Sequence, residues 1–243
     1  MPIRAVTFDY WDTLVRVDPT VPIRDLQIDA FRECLIDAGH PVDREQLVAA
    51  FDENWGRFED AWVANRGPYT PADATDFIAR RLDVPLLGDL RARLVATFTD
   101  AGTRVALEVA PGLRECLGAL REAGLRLGIV CDVGLTSAPT LRHRLERLGM
   151  LGSFDAWAFS DETRWFKPAP EAFRPALEGL RVAAPAEAAH IGDNPRTDIG
   201  GALSLGMRAI RFTGFADRRP ADLPEADAVL ADLRDVPSVL GLA

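Results

Sequence analysis

Short apolar runs of strand length recur along the chain, and in its second half amphipathic segments separate them. Apolar runs of about four to eight residues, bounded by turn-forming residues, are typical of buried strands. The pattern therefore predicts five buried strands and a shorter sixth one. They cover residues 3–8, 125–131, 155–160, 188–192 and 208–212, with the sixth at residues 228–230.

The segments between the later strands begin and end as helices do. Residues 111–124 start with Pro111, which favours a first helical turn, and end with Gly124 just before a strand. Residues 140–149 and 198–206 also close on a glycine. Alternating strands and helices imply a parallel sheet with helices on both faces. We therefore predict an α/β fold with a doubly wound, Rossmann-like parallel sheet.

Residues 16–106 have a different pattern, without a strand-like run. From 44 to 65 apolar residues recur at steps of three and four, which predicts one face of a long helix. We interpret this stripe as helix packing rather than substrate contact. We predict an α/β core from residues 1–15 and 107–243 and a helical cap from residues 16–106, placed where ligands bind at the sheet edge. The stripe consists of Leu47, Phe51, Trp55, Phe58 and Trp62.

Composition narrows the classes of partner. The chain has 243 residues, 48% of them hydrophobic, so it can bury a substantial core. A net charge of −9 disfavours nucleic acid and anionic membranes as partners. No apolar segment approaches the roughly 20 residues of a membrane span. Three widely spaced cysteines are typical of reduced thiols, so we expect a cytoplasmic protein. These patterns leave the oligomeric state open.

Chemically reactive side chains follow four of the predicted strands. Asp9 follows the first strand, and Cys131 and Asp132 end the second. Lys167 lies in a loop after the third strand, kept out of helical geometry by the proline that follows it. The fourth strand continues into the sequence GDNPRTD at residues 192–198, which contains two further aspartates. Because the carboxyl ends of parallel strands lie at one edge of a sheet, we expect these groups to converge.

This combination predicts a site for magnesium and phosphate. Asp9, Asp193 and Asp198 would repel one another unless a cation neutralised them, and oxygen ligands suit Mg²⁺. A carboxylate beside the metal can attack phosphorus and form an aspartyl phosphate, which divides one difficult displacement into two. Lys167 is the only lysine among 28 basic residues. We expect its compact ammonium to neutralise charge on the attacking carboxylate and on the transferred group.

With these residues the sequence resembles the haloacid dehalogenase (HAD) superfamily of hydrolases over nearly its whole length, with a helical cap inserted after the first strand. The first motif of that family, an aspartate followed within a few positions by a threonine, is matched in FDYWDTL at residues 8–14. The resemblance implies that Asp9 is the nucleophile. It assigns catalysis to Asp9, Thr13 and Lys167, and metal binding to Asp9, the Trp11 backbone carbonyl, Asp193 and Asp198.

Two departures from the family pattern leave the reaction open. Family phosphatases carry a general-acid aspartate two residues after the nucleophile, where this sequence has Trp11; Asp12 lies one residue too late. Cys131 replaces the serine or threonine that hydrogen-bonds the transferred group, and a thiol is a weak donor. Family dehalogenases need no acid, because halide leaves without a proton. They are, however, metal-free, lack the later pair of aspartates, and carry asparagine where Asp132 would repel halide.

The sequence therefore predicts a Mg²⁺-dependent, phosphatase-like hydrolase that acts on a small phosphorylated metabolite through an aspartyl phosphate on Asp9. Cys131, Asp132 and Trp11 are its candidate substrate-binding residues. Because a missing general acid costs about 10²–10⁴ in rate, phosphates with good leaving groups are favoured. A 2-haloacid dehalogenase and a non-hydrolytic binding protein are the alternatives. His190, on the fourth strand, is interpreted as a core or strand-end residue.

Overall fold

The computed structural model of the chain describes residues 2–64, 67–100, 105–217 and 222–242. Its main sheet has six strands, and all of them fall on the predicted apolar runs. These strands are β1 Ala5–Phe8, β4 Arg126–Cys131, β5 Ala156–Phe159, β6 Ala188–Gly192, β7 Arg208–Phe212 and β8 Ala228–Leu230; β2 Val15–Val17 and β3 Leu107–Val109 form a separate pair.

The main sheet is parallel and doubly wound, as predicted. Its strand order is β5-β4-β1-β6-β7-β8, and each neighbouring pair is parallel. After β1 the chain adds β4 and β5 on one side, and then β6, β7 and β8 on the other. The order in which strands are added therefore reverses at β1, and open α/β sheets bind ligands at such a switch point.

The β2–β3 pair was not predicted, because three-residue strands are too short to show a periodic pattern. The two strands lie at the ends of the predicted helical cap, residues 16–106. Val15–Val17 is at the start of that segment and Leu107–Val109 is at its end. The backbone N–H of Ala110 donates to the Leu14 carbonyl at 2.9 Å, which extends the pairing.

The helices begin at the capping signals present in the sequence. Asp43 caps α2 by accepting from the backbone N–H groups of Glu45 and Gln46, and a capping box at Thr70 starts α3. The described residues also include short segments of 3₁₀-helix and one of π-helix. The helices are α1 Ile23–Asp37, α2 Arg44–Val63, α3 Pro71–Arg81, α4 Leu90–Asp100, α5 Leu113–Glu122, α6 Ala138–Arg147, α7 Ser160–Thr163, α8 Pro170–Gly179, α9 Gly200–Ser204 and α10 Val236–Val239.

The chain divides into two compact units. The core unit comprises Met1–Arg16, Leu107–Asp132 and Leu145–Ala243, and the helical unit comprises Val17–Ala106 and Val133–Arg144. The predicted domain boundaries, at residues 15/16 and 106/107, stay a prediction. Within the described residues, no helix combines the length and the apolarity that crossing a bilayer requires.

Each unit has its own apolar core. In the core unit, helix α8 covers the sheet with Phe173 and Ala176, both fully buried. In the helical unit, the rings of Phe31, Phe51 and Phe98 pack with centroid separations of 5.5–6.0 Å. In the α2 stripe Leu47, Phe51 and Phe58 are buried, whereas Trp55 is 50% exposed and packs its ring against Phe58 at 5.3 Å between centroids.

Candidate active site

The carboxylate of Asp9 lies at the carboxyl end of the central strand. The Asp9 backbone N–H donates to the Ile191 carbonyl at 2.8 Å, which continues the β1–β6 ladder by one residue. The side chain is only 7% exposed. The position of Asp9 is therefore fixed by the sheet rather than by a loop.

Lys167 joins two of the predicted acids. Its ammonium Nζ lies 2.5 Å from Asp9 Oδ1 and 2.5 Å from Asp198 Oδ1, and its side chain is 3% exposed. The Lys167 backbone N–H donates to Asp132 Oδ1 at 3.0 Å, which holds the loop before α8 in place. Burial alone would lower the pKa of the ammonium, but Asp198 and Asp9 raise it well above its usual value. The lysine is therefore charged at neutral pH.

The GDNPRTD segment folds back so that Asp198 reaches the sheet edge. Asn194 accepts hydrogen bonds from the backbone N–H groups of Arg196 and Thr197, and its own N–H donates to Asp198 Oδ2 at 2.9 Å. Gly192 makes room for this turn, since a Cβ there would lie 2.3 Å from Asp198 Cγ. A side chain at position 192 would displace the carboxylate.

Three carboxylates converge at this point. Oxygen atoms of Asp9, Asp193 and Asp198 lie within 4.8 Å of one another. Burial raises the pKa of Asp193 to about 7, and the charges of Asp198 and Asp12 add to the rise. Asp12, which lies one residue too late for the general acid of family phosphatases, is close enough for its charge to raise the pKa of Asp193. It has a left-handed backbone, with φ of 55°.

The other two acids have opposite pKa shifts. Burial raises the pKa of Asp9 well above its usual value; Lys167 opposes this rise and Asp198 adds to it. Burial would also raise the pKa of Asp198, but Lys167 and His190 lower it, to about 2. Asp198 is thus ionised throughout the neutral range, whereas Asp9 and Asp193 resist ionisation as long as no further cation is present.

His190 and Thr7 form a polar layer next to this cluster that the sequence did not assign to the site. His190 Nε2 lies 3.3 Å from Asp198 Oδ1, and Nδ1 lies 2.9 Å from Thr7 Oγ1. Burial lowers the pKa of His190, although Asp198 opposes the shift, so the ring is neutral at pH 7. The available signal was a polar residue in each of two otherwise apolar strands, both just before the acidic motifs.

The remaining predicted residues differ in their surroundings. Thr13 is fully buried, and its Oγ1 has no hydrogen-bond partner among the described residues. Burial raises the pKa of the Cys131 thiol well above its usual value, and Asp9 adds to the rise, so Cys131 is not a thiolate nucleophile. Trp11 packs its ring against Tyr10 at 4.9 Å between centroids. The roles of these residues stay predictions.

The donor set fits a divalent cation. Three acids and one lysine sum to −3 + 1 = −2, the charge that one dication neutralises. All candidate ligands are oxygens, which Mg²⁺ prefers over softer metals. Burial is the largest cause of the raised pKa values of Asp9 and Asp193, neighbouring acids add to the rise, and a bound cation would oppose it.

The fold and this site define a doubly wound α/β enzyme with a carboxylate–lysine centre at its switch point. A family model described as haloacid dehalogenase-like hydrolase matches residues 3–206. The chain belongs to this family of hydrolases.

Similar proteins include members with two chemistries. A glyceraldehyde 3-phosphate phosphatase of Pyrococcus abyssi (strain GE5 / Orsay) is 31% identical over 86% of this chain and 81% of its own. The structure of a HAD phosphatase from Thermococcus onnurineus matches with a TM-score of 0.64 and 25% identity over 98% of both chains. A 2-haloacid dehalogenase from Pseudomonas syringae pv. Tomato DC3000 matches with a TM-score of 0.72 and 24% identity over 98% of both. The fold alone thus does not separate the two reactions.

Proposed function

We propose that the chain is a Mg²⁺-dependent phosphatase that acts on a small phosphorylated metabolite through an aspartyl phosphate on Asp9. The observation that carries the proposal is the convergence of three carboxylates within 4.8 Å around one buried ammonium. The relative that is 31% identical over most of both chains is named as a phosphatase, which supports the phosphoryl class.

The three acids and the Trp11 carbonyl would hold the ion. Bound there, Mg²⁺ supplies positive charge that neutralises and orients a phosphoryl group. Asp9 Oδ1 accepts from Lys167, while Oδ2 accepts no hydrogen bond from the described residues. We therefore assign the attack on phosphorus to Asp9 Oδ2. The new bond joins Oδ2 to phosphorus, and the leaving oxygen departs with its electron pair.

Water then completes the reaction by attacking phosphorus, which releases inorganic phosphate and restores the Asp9 carboxylate. The Lys167 ammonium has three N–H donors, of which two are bonded to Asp9 and Asp198. The third is available to the phosphoryl oxygens, where negative charge accumulates. Thr13 Oγ1, buried and without a partner among the described residues, is a second candidate donor to the same group.

Trp11 restricts the substrate. The indole N–H is too weak an acid to protonate an alkoxide leaving group, and a missing acid lowers the rate about 10²–10⁴-fold. We therefore propose acyl or aryl phosphates, whose leaving groups need no proton. In a series of aryl phosphates, kcat should fall steeply as the leaving-group pKa rises. A flat dependence would show that another residue donates the proton.

A 2-haloacid dehalogenase is the second candidate, because Trp11 would suit a halide leaving group. Two observations disfavour it. Asp132 would place a negative charge beside a departing halide, and its Oδ1 is held in position by the Lys167 N–H at 3.0 Å. In addition, a metal-free dehalogenase would leave the mutual repulsion of the three acids without a neutralising cation.

A substrate screen separates these candidates. Phosphorylated metabolites and 2-haloacids are offered to the wild type and to Asp9→Asn, with Mg²⁺ or with a chelator. We expect phosphate release that requires Mg²⁺ and falls by more than about 10⁴-fold in Asp9→Asn, as for other lost nucleophiles. Halide release that ignores the chelator would identify a dehalogenase. No turnover in any condition would identify a binding protein, and turnover that survives in Asp9→Asn would remove Asp9 as nucleophile.

A further inference from the structure

His190 is a buried polar residue that the proposed reaction does not use. Its ring is 0% exposed, and both nitrogens have polar partners. The ring of Phe173 packs edge-on against it, with centroids 5.1 Å apart and planes at 79°. The imidazole is therefore held in one orientation by packing on its face and by hydrogen bonds at its edge.

Strand register explains why this ring meets the acidic cluster. Thr7 and His190 are direct partners in the β1–β6 ladder. Side chains two residues apart along a strand share a face, so Thr7 lies on the same face as Asp9, and His190 on the same face as Gly192. Because Gly192 has no side chain, Asp198 occupies the space beside His190.

The direction of each hydrogen bond follows from the chemistry of the partners. A carboxylate accepts hydrogen bonds and cannot donate them, so His190 Nε2 must carry the proton in its contact with Asp198 Oδ1. In the neutral ring Nδ1 is then an acceptor, and the Thr7 hydroxyl donates to it at 2.9 Å. The alternative acceptor for Thr7, the Ala189 carbonyl, lies further away at 3.3 Å.

We propose that His190 is a positioning residue that, held in one tautomer by Thr7, fixes the Asp198 carboxylate. Asp198 Oδ1 accepts from His190 and Lys167, and Oδ2 accepts from the Asn194 N–H. With three donors the carboxylate has one orientation, and that orientation sets where the Lys167 ammonium meets Asp9. The effect on turnover rests on the proposed function; the hydrogen bond itself does not.

Nuclear magnetic resonance tests the hydrogen bond without any turnover. A long-range ¹H–¹⁵N spectrum shows which ring nitrogen of a histidine carries the proton. The chain has three histidines, and the signal of His190 is the one that disappears in His190→Gln. We expect a proton on Nε2 in the wild type, with chelator present. A ring without a proton on Nε2 would overturn the proposal.

Matched variants test the positioning role. In His190→Gln the amide nitrogen can donate from nearly the place of Nε2, whereas His190→Leu keeps the bulk and loses the donor. Losing a supporting partner of this kind typically costs about 10–100-fold in activity or metal affinity. We expect such a loss of kcat in His190→Leu, with the KM for substrate unchanged, and substantial recovery in His190→Gln. Equal losses in both variants would show a role in packing only and would overturn the proposal.

A second pair keeps the test decisive if His190→Leu does not fold. Thr7→Val has nearly the shape of threonine but no hydroxyl, and Thr7→Ser retains the hydroxyl. We expect a lower kcat in Thr7→Val than in Thr7→Ser, and equal values would contradict the proposal. A wild type without activity on any phosphate, combined with a proton on Nε2, would reject the proposed function while leaving the hydrogen bond intact.

Discussion

Among the described residues of the core unit, two cations are buried, Lys167 and Arg211, and they are paired with acids in opposite ways. The side chain of Lys167 is 3% exposed, and its partners Asp9 and Asp198 are 9% and 1% exposed. All three charged groups of that cluster are therefore almost completely shielded from water. Such a cluster is stable only where charges and hydrogen bonds compensate each other closely, because each desolvated charge costs several kcal/mol.

Arg211 is buried to the same degree, with 5% of its side chain exposed, but its partners are not. Asp217 and Glu225, which it contacts at 2.7 and 2.9 Å, are 68% and 41% exposed. If the guanidinium were removed, both acids would simply be hydrated. Arg211 thus ties Asp217 and Glu225 to the sheet, and among the described residues the acids that it contacts are open to water and require no further ligand.

The difference shows what marks a reactive site among buried ion pairs. Around Lys167 three acids, two of them buried and Asp193 half-buried, share one ammonium, and their excess charge is relieved by a bound cation or by protonation. Around Arg211 the excess charge is relieved by water. Burial of the cation alone therefore does not identify a functional site. A functional site is indicated where acids exceed cations in number and have little access to water.

The strongest prediction removes each cation in turn. Lys167→Met should lower kcat by about 10²–10³-fold or more, since a preorganised charge that stabilises the transition state is lost. Arg211→Met, the matched control, should keep kcat within about twofold of the wild type. The acid partners of Arg211 are 68% and 41% exposed and can be hydrated once it is removed, so each pair is worth about 1 kcal/mol and only a modest loss of stability is expected. Steady-state kinetics and urea unfolding measure both effects. Comparable losses of kcat in Lys167→Met and Arg211→Met would contradict the distinction between the two clusters.

Sequence patterns were sufficient for the sheet. Each of the six strands lies on a mainly apolar run, because strands covered on both faces are buried and can hold few polar side chains. They were insufficient for β2 and β3, which have three residues each. They indicated the packed face of α2 but not that Trp55 would be half-exposed, since a helical stripe specifies a face and not how much of each side chain is covered.

For the site, sequence reasoning brought together residues that the strand order places at one edge, namely Asp9, Lys167, Asp193 and Asp198. It did not find the layer behind them. Thr7 and His190 are paired by the register of β1 and β6, and register depends on pairing between distant segments. The influence of Asp12 on Asp193 was missed for a related reason. It depends on the proximity of Asp12 to a residue 181 positions later in the chain, which no local pattern indicates.

A smaller effect is expected from a substitution that moves the Asp198 carboxylate but leaves its cation partner, Lys167, in place. In Gly192→Ala the new Cβ would lie 2.3 Å from Asp198 Cγ, so the carboxylate must move. We expect a loss of about 10–100-fold in kcat or in apparent Mg²⁺ affinity, as for other disturbed supporting contacts. Gly118→Ala, in the middle of α5, is the matched control, because its Cβ meets no atom within 4 Å. It should leave activity unchanged and stabilise the helix slightly. Normal Mg²⁺-dependent kinetics in Gly192→Ala would mean that Asp198 need not occupy this position.

The smallest effect concerns stability and pH in the presence of a chelator. The pKa of Asp193 is raised to about 7 in the folded chain, against about 3.9 in an unfolded one. Between these values the native state holds the proton and the unfolded state does not, so stability falls as pH rises. The wild type should therefore lose more stability between pH 5 and 8 than Asp193→Asn, at about 2–4 °C in Tm per kcal/mol. Asp198, with its pKa at about 2, does not titrate in this range.

Added Mg²⁺ should raise the Tm of the wild type most at pH 8, because an ion that binds only the native state stabilises it more as its affinity rises, and ionised carboxylates bind it more tightly. Asp193→Asn should respond less at every pH, since one carboxylate ligand is missing. Thermal unfolding of both proteins with Mg²⁺ or chelator measures the difference. Parallel pH profiles for the two proteins would show that Asp193 carries no surplus charge, and the contrast with Arg211 would then rest on Asp9 alone.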